Sequence, residues 1–364
     1  MGRCKNTLRK QNILLDRKRM LLYYEEKAGN IEKSIMKNIR DLCITVVFLF
    51  LVLGAASAWA RTDLSGVESW ACWLQAANIQ TLSDSPYDLV VMDYSFDGTD
   101  DSAYTPAEIQ SLKNSGKQVL SYFSIGEAED YRFYWQDGWS EGNPSFLGPE
   151  NEDWQGNYKV KYWEDGWWQD VLNPYLDKII SAGFNGVYLD IIDAYYYWYE
   201  SEGGSAETYA DDMAELVGKI ADYSRNYNAD FIICPQNGIG ILDDASIEIK
   251  NKYINTIDCV GMESLFYNIW SEEDQTYRFD KLEEINQAGK PIFNIEYIDP
   301  DSYGEYFDTL EEHPFNIIGY PAASDRALDE LIVPAGAIPE MNTLWLFITG
   351  IISVSIITRK SVLN

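Results

Sequence analysis

Residues 186–198 read GVYLDIIDAYYYW. Val187, Tyr188 and Leu189 suit a buried strand, but Asp190 breaks the run and Asp193 follows three residues later. A carboxylate among apolar side chains costs on the order of several kcal/mol unless something pairs with it. A strand that carries an acid at its C-terminal end is therefore expected to deliver that acid to something.

Working outward, seven more strand-like runs flank this one. SWACWLQ, DLVVMDYS and QVLSYFSIGE precede it; DFIICPQNG, CVGMESLFY, PIFNIEYID and NIIGYPA follow. Helical patterns lie between them. Thr105-Pro106-Ala107-Glu108 marks a helix start, with Thr as cap, Pro at the first position and Glu three residues past the cap. Met213, Leu216, Val217, Ile220 and Tyr227 keep helical spacing on one face. Gly116, Gly183 and Gly289 each close a helical pattern just before a strand. Eight strands alternating with helices predict an α/β chain of the (β/α)8 TIM-barrel class, a doubly wound open sheet being the alternative. Barrel enzymes work at the C-terminal ends of their strands. This chain sets Asp93, Glu127, Asp190, Gln236-Asn237, Glu263 and Glu296 there.

The ends of the chain read differently. Leu42 to Leu53 is an apolar run after Lys37 and Arg40, followed by Ala56, Ala58 and Ala60. That is the layout of a secretory signal with its small-residue cleavage site. We therefore read 1–60 as a leader, with Met36 as the expected start of translation, and 61–333 as the barrel. Residues 334–340 form a linker containing Pro334, Gly336 and Pro339. Residues 341–358 are an uncharged stretch long enough to cross a bilayer or serve as a sorting segment, and 359–364 a basic cytoplasmic tail that opens on Arg359-Lys360. This predicts a secreted, surface-anchored, monomeric protein.

Composition narrows the chemistry. The 364 residues are 46% hydrophobic and 14% aromatic, enough for a large core. Residues 61–340 hold 15 Lys and Arg against 53 Asp and Glu, a formal charge of −38. Such a surface repels phosphate backbones, so no nucleic-acid partner is expected, and it attracts cations. Solubility alone accounts for the charge equally well. The single histidine, His313, excludes a Ser-His-Asp triad and His-rich zinc sites. There is no phosphate-binding or dinucleotide-binding glycine motif, so no cofactor is expected. No metal is expected either: DYSFDG (93–98) opens like a calcium loop, but Tyr104 stands where the bidentate Glu belongs. Cys72, Cys234 and Cys259 sit in apolar runs and read as buried free thiols.

What remains is a ring of carboxylates with aromatics, which points to sugar chemistry. Glycoside cleavage uses one acid to protonate the leaving oxygen and one carboxylate as nucleophile or base. Asp190 ends the fourth strand and Glu263 the sixth, and alternate strands feed the same side-chain layer of a barrel. Strand counting by itself does not choose this pair among the rim acids. Tyr195 to Tyr199, Trp198 included, read as an aromatic loop over the mouth. Trp163, Trp167 and Trp168 read as packing at a helix start.

GVYLDIIDAY, with IGEAEDYR (125–132), VKYWEDGWW (160–168), CPQNG (234–238) and CVGMESLFY (259–267), resembles the endo-alpha-1,4-polygalactosaminidase family, glycoside hydrolase family 114. The resemblance covers about residues 70–332; its LDxxD and GMES segments are the specific ones. It implies a TIM barrel hydrolysing a galactosamine-rich, partly de-acetylated polysaccharide. It makes Asp190 the catalytic carboxylate of the fourth strand and Glu263 its partner. Glu263 is expected to carry the raised pKa and donate the proton, while Asp190 stays ionised, by a retaining mechanism. The expected substrate-binding set is Asp93, Tyr94, Glu127, Arg132, Asp193, Gln236, Asn237, Glu296 and Tyr320. Within it, Asp193 either meets sugar ammonium groups or pairs with Arg132. A non-catalytic polysaccharide-binding barrel and a glycosidase for another extracellular polymer are the rival readings.

Overall fold

The computed structural model describes residues 63–334. The expected leader (1–60), all of the linker but Pro334, and the apolar tail lie outside those residues. Among the described residues no helix is long and apolar enough to cross a membrane.

Eleven strands are formed among the described residues: β1 Trp70–Trp73, β2 Leu89–Met92, β3 Gln118–Ser124, β4 Glu127–Glu129, β5 Leu147–Glu150, β6 Asn157–Val160, β7 Gly186–Asp190, β8 Ile232–Pro235, β9 Val260–Glu263, β10 Ile292–Tyr297 and β11 Ile317–Ala322. All eight runs read from the sequence are strands. They pair in parallel in the order β1-β2-β3-β7-β8 and, separately, β9-β10-β11. A parallel bridge between Gln236 and Gly261 joins the two ladders. At the other edge the Trp70 indole N–H donates to the carbonyl of Ile318 at 2.8 Å, which sets β1 beside β11.

Side chains across the interior show the curl. In the ladder β1 and β7 stand three strand spacings apart, about 14 Å on a flat sheet. Yet the Trp70 and Tyr188 rings lie 6.0 Å apart, and Trp70 also meets Phe293 at 5.2 Å and Tyr320 at 6.1 Å. Rings from β1, β7, β10 and β11 thus fill one interior, as the side-chain layers of a TIM-like barrel do. β1, β2, β8 and β10 are buried at every position, the mark of parallel strands covered on both faces.

The helices follow their local signals: α1 Ile79–Asp84, α2 Pro106–Asn114, α3 Asn173–Ala182, α4 Ala194–Glu202, α5 Ala206–Arg225, α6 Ile241–Asp244, α7 Ile247–Thr256, α8 Glu272–Gln287 and α9 Tyr303–Glu312. At α2 the Thr105 hydroxyl accepts from the Glu108 N–H while the Glu108 carboxylate accepts from the Thr105 N–H, a complete capping box. Gly116, Gly183 and Gly289 all take the left-handed conformation that ends a helix. α5 buries Met213, Leu216, Val217 and Ile220 as their spacing requires. Tyr227 departs from that face: the helix stops at Arg225 and the ring is 62% exposed.

Two features depart from the strand-and-helix reading. An antiparallel sheet, β4-β6-β5, is inserted between β3 and β7. The aromatic run 195–199 is helix α4, where a loop was expected. Its turns send Tyr195 and Trp198 into the core and Tyr196 into solvent.

Candidate active site

Asp190 closes β7, half-buried on the floor at the C-terminal end of the sheet. One carboxylate oxygen accepts from the Tyr122 hydroxyl at 2.8 Å, the other from the Ile191 N–H at 2.8 Å. That second bond requires an unusual backbone. Ile191 sits at φ 61°, a left-handed conformation costly for a β-branched residue. Two glycines hold it there. A Cβ on Gly126 would lie 2.3 Å from the Ile191 carbonyl oxygen, and one on Gly238 would lie 2.7 Å from the Ile192 Cβ. The IGEAE and PQNG segments therefore grip the turn after Asp190 from both sides. Burial, then the charge of Glu263, pushes the Asp190 carboxyl up to about 7. The Tyr122 and Ile191 donors oppose that rise.

Glu263 closes β9 and is also half-buried. It accepts from the Asn237 amide at 2.8 Å and from the Tyr297 hydroxyl, while its own N–H donates to the Asn237 side-chain oxygen at 3.0 Å. The chain then turns through Ser264 at φ 51°. Two groups fasten that turn. The Arg278 guanidinium donates to the carbonyls of Glu263 and Ser264. Glu296 accepts the N–H groups of Leu265, Phe266 and Tyr267 at 2.6, 2.9 and 3.2 Å. Burial raises Glu296 to about 7 in spite of those donors. The sequence reading expected Asp190 to be the acid that stays ionised; burial raises its carboxyl instead. Burial first, then the charges of Glu263 and Asp190, raises the Cys72 thiol.

Several residues of the expected binding set face inward. Arg132 donates to Asp93 at 2.8 Å and to Glu129 at 2.7 Å, and all three are buried. Arg132 therefore pairs with these two and not with Asp193. Tyr94 packs edge-on against Tyr175 at 4.9 Å. Tyr320 is fully buried, and its hydroxyl accepts from the Ile332 N–H at 3.1 Å. Glu296 is fully buried under the β9 turn. Glu127, on β4, is held by Lys159 and by the Asn151 amide. With almost no accessible surface, Asp93, Tyr94, Glu127, Arg132, Glu296 and Tyr320 are removed from the set that can touch a polymer. Position at a strand end says nothing of whether a side chain turns outward to the mouth or back into the wall.

Gln236 is buried as well, its N–H donating to the Leu189 carbonyl at 2.7 Å. Asn237 is half-buried and holds Glu263. Asp193 is exposed, yet enough protein crowds its carboxyl to raise its pKa against the pull of Lys159, which marks a concave position. Sequence reasoning missed Tyr122, Tyr297 and Arg278. The two tyrosines had a readable signal, each lying within two residues of a strand's C-terminal end. Arg278, inside α8, had none. Among the described residues no group of three or more His, Cys, Asp or Glu is placed to hold a metal ion.

A parallel TIM-like barrel with two tyrosine-held carboxylates at its strand ends is the framework of a carboxylate-pair glycosidase. Residues 52–325 match the model of glycoside-hydrolase family GH114, and the chain belongs to that family; it is a glycoside hydrolase. It is 39% identical over 287 residues to an uncharacterized protein of Methanocaldococcus jannaschii, covering 76% of this chain and 79% of that one. To an uncharacterized protein of Thermotoga maritima it is 36% identical over 316 residues, covering 84% and 96%. Two solved structures share the fold. The glycoside hydrolase domain of PelA from Pseudomonas aeruginosa matches with a TM-score of 0.56 at 18% identity, over 74% of this chain and 99% of that one. Aspergillus fumigatus Ega3 in complex with galactosamine matches with a TM-score of 0.53 at 19% identity, over 73% and 95%.

Proposed function

We propose that the chain is an endo-glycosidase that cleaves α-1,4 linkages in a galactosamine-rich, partly de-acetylated polysaccharide. The observation that carries this reading is the coupled pair Asp190 and Glu263, each with both oxygens held and each next to a backbone turn that fixes its aim. Asp190 attacks the anomeric carbon and Glu263 protonates the departing oxygen; water then releases the sugar with retention.

In the empty site burial keeps a proton on Asp190 up to about pH 7, so the nucleophile is ionised only above that. A sugar ammonium bound beside exposed Asp193 would lower Asp190 by its charge and so favour the ionised nucleophile. The acidic body supports a cationic substrate on the same grounds. The apolar runs at 42–53 and 341–358 support export and tethering at the cell surface.

The test uses the full chain on polygalactosamine, its fully N-acetylated form and a neutral galactan, following new reducing ends. Cleavage of the de-acetylated polymer, lost in Asp190→Asn and in Glu263→Gln, is the expected outcome. Cleavage that survives either change removes that residue from the mechanism, and binding of the polymer without turnover makes the barrel a binding protein. Proton NMR of the first product reads the anomer, and an inverted one rules out the covalent step.

A further inference from the structure

The barrel's flank carries a second cleft, of about 670 Å³, between the segment 162–168 and the outer side of α5. None of its walls comes from a barrel strand, so it is separate from the carboxylate pair. Its apolar wall is aromatic: Trp163 and Trp168 are half-buried, and Tyr223 meets Trp168 edge-on at 5.7 Å. Its polar wall carries five acids, Asp212 and Glu215 on α5 among them, against Lys219 and Lys252, so acids are in excess.

Two observations say what would fill this cleft. Lys219 stands with its Nζ 4.4 Å from the Trp168 ring centroid, so the ring takes an ammonium, here the protein's own on a flexible stem that a ligand would displace. Asp212, half-buried, is acted on by burial and by Glu215 and Asp211, all of which raise its pKa, with no cation among those influences. A concave site with flat rings on one wall and an excess of carboxylates over ammonium groups on the other suits a ligand with an apolar C–H face and a positive charge. Pyranose rings bearing free amines have both.

We propose that this flank cleft is an accessory binding site for an amino-sugar oligosaccharide, holding a cationic chain away from the catalytic pair. The ligand class rests on the function proposed above; the cleft itself does not. Trp168 stacks on a sugar face once Lys219 swings off its ring, and Asp212 with Glu215 takes the ammonium. Fully N-acetylated sugar offers the face without the charge and binds poorly.

The experiment is calorimetric titration of the full chain carrying Asp190→Asn with an α-1,4-linked galactosamine tetramer. Two sites per chain are expected. Adding Asp212→Asn, a change of nearly constant volume, weakens one of them about tenfold, as the loss of a charge-assisted contact does. Trp168→Ala removes that site, and rising salt weakens it. A single site unaffected by either change overturns the inference, as does a flank site that takes the N-acetylated tetramer equally well. Cleavage of the polymer is scored separately on the wild-type chain. No cleavage with a flank site that titrates as described would sink the catalytic reading and leave the flank inference standing; cleavage with one site would do the reverse.

Discussion

A Cβ placed on Gly126 would stand 2.3 Å from the carbonyl oxygen of Ile191, inside any tolerable contact. The neighbour is backbone, so it cannot swing aside. Ile191 carries the N–H that holds Asp190, and displacing it re-aims the carboxylate. Gly126→Ala is therefore expected to cut kcat by about 100-fold or more, since misplacement of an ångström has that effect, and to cost roughly 1–3 kcal/mol of stability. Gly66→Ala, with nothing within 4 Å, is the control and is expected to change neither. Activity assays with thermal melts decide it, and full activity in the Gly126 variant would mean the turn is not fixed by this contact.

Tyr122 donates to Asp190 at 2.8 Å, and that bond favours the ionised carboxylate. If ionised Asp190 is the nucleophile, activity falls on the acid side as it takes up a proton at about pH 7. Tyr122→Phe removes a donor to the charged form, so the acidic limb of kcat/KM moves to higher pH. At pH 6 the variant is expected to be slower by roughly threefold to tenfold. An unmoved limb would mean that a different group sets it.

The fold was legible because its signals are local. The capping box at Thr105, the C-terminal glycines and eight apolar runs each act within a few residues, and all survive folding. The acids at 190 and 263 were legible because they interrupt apolar strands, a pattern packing alone does not explain. Arg278 was not, since its target is a backbone carbonyl fourteen and fifteen residues back in the chain. Glu296 was misread for a related reason. It sits at a strand end like Glu263, but three backbone donors wait for it inside the wall, and no strand pattern shows where a neighbouring loop will aim its N–H groups.

Glu296 therefore acts on Glu263 through the chain, by fixing residues 265–267. Glu296→Leu leaves three N–H groups without their acceptor, at a cost of about 2–4 kcal/mol. Glu296→Gln keeps one acceptor oxygen and is expected to cost less than half as much. With the turn loosened, Glu263 loses its aim more than the substrate loses its cleft, so kcat falls at least tenfold while KM stays within about twofold. Recovery of most of the kcat in the Gln variant separates positioning from general unfolding. A loss confined to KM would place Glu296 in substrate binding after all.

Asp190 also has a stability consequence of definite sign. Its folded pKa is about 7, above the ordinary carboxylate value of about 3.9 that it has when unfolded. Between those pH values the folded chain keeps a proton that the unfolded chain has released. Stability is therefore lost as pH rises through that window, and above 7 the folded state carries the full cost of a desolvated carboxylate. Asp190→Asn has no such proton to lose. Relative to wild type, the variant should gain roughly 1–3 kcal/mol in going from pH 4 to pH 8, allowing for the half-exposed position of the group. Glu296, raised to about 7 in the same way, is present in both chains and cancels from the difference. Melting temperatures of the two proteins at pH 4, 6 and 8 measure it. Parallel curves would show that Asp190 is not raised in the folded protein, and the acidic limb of activity near pH 7 would then belong to another group.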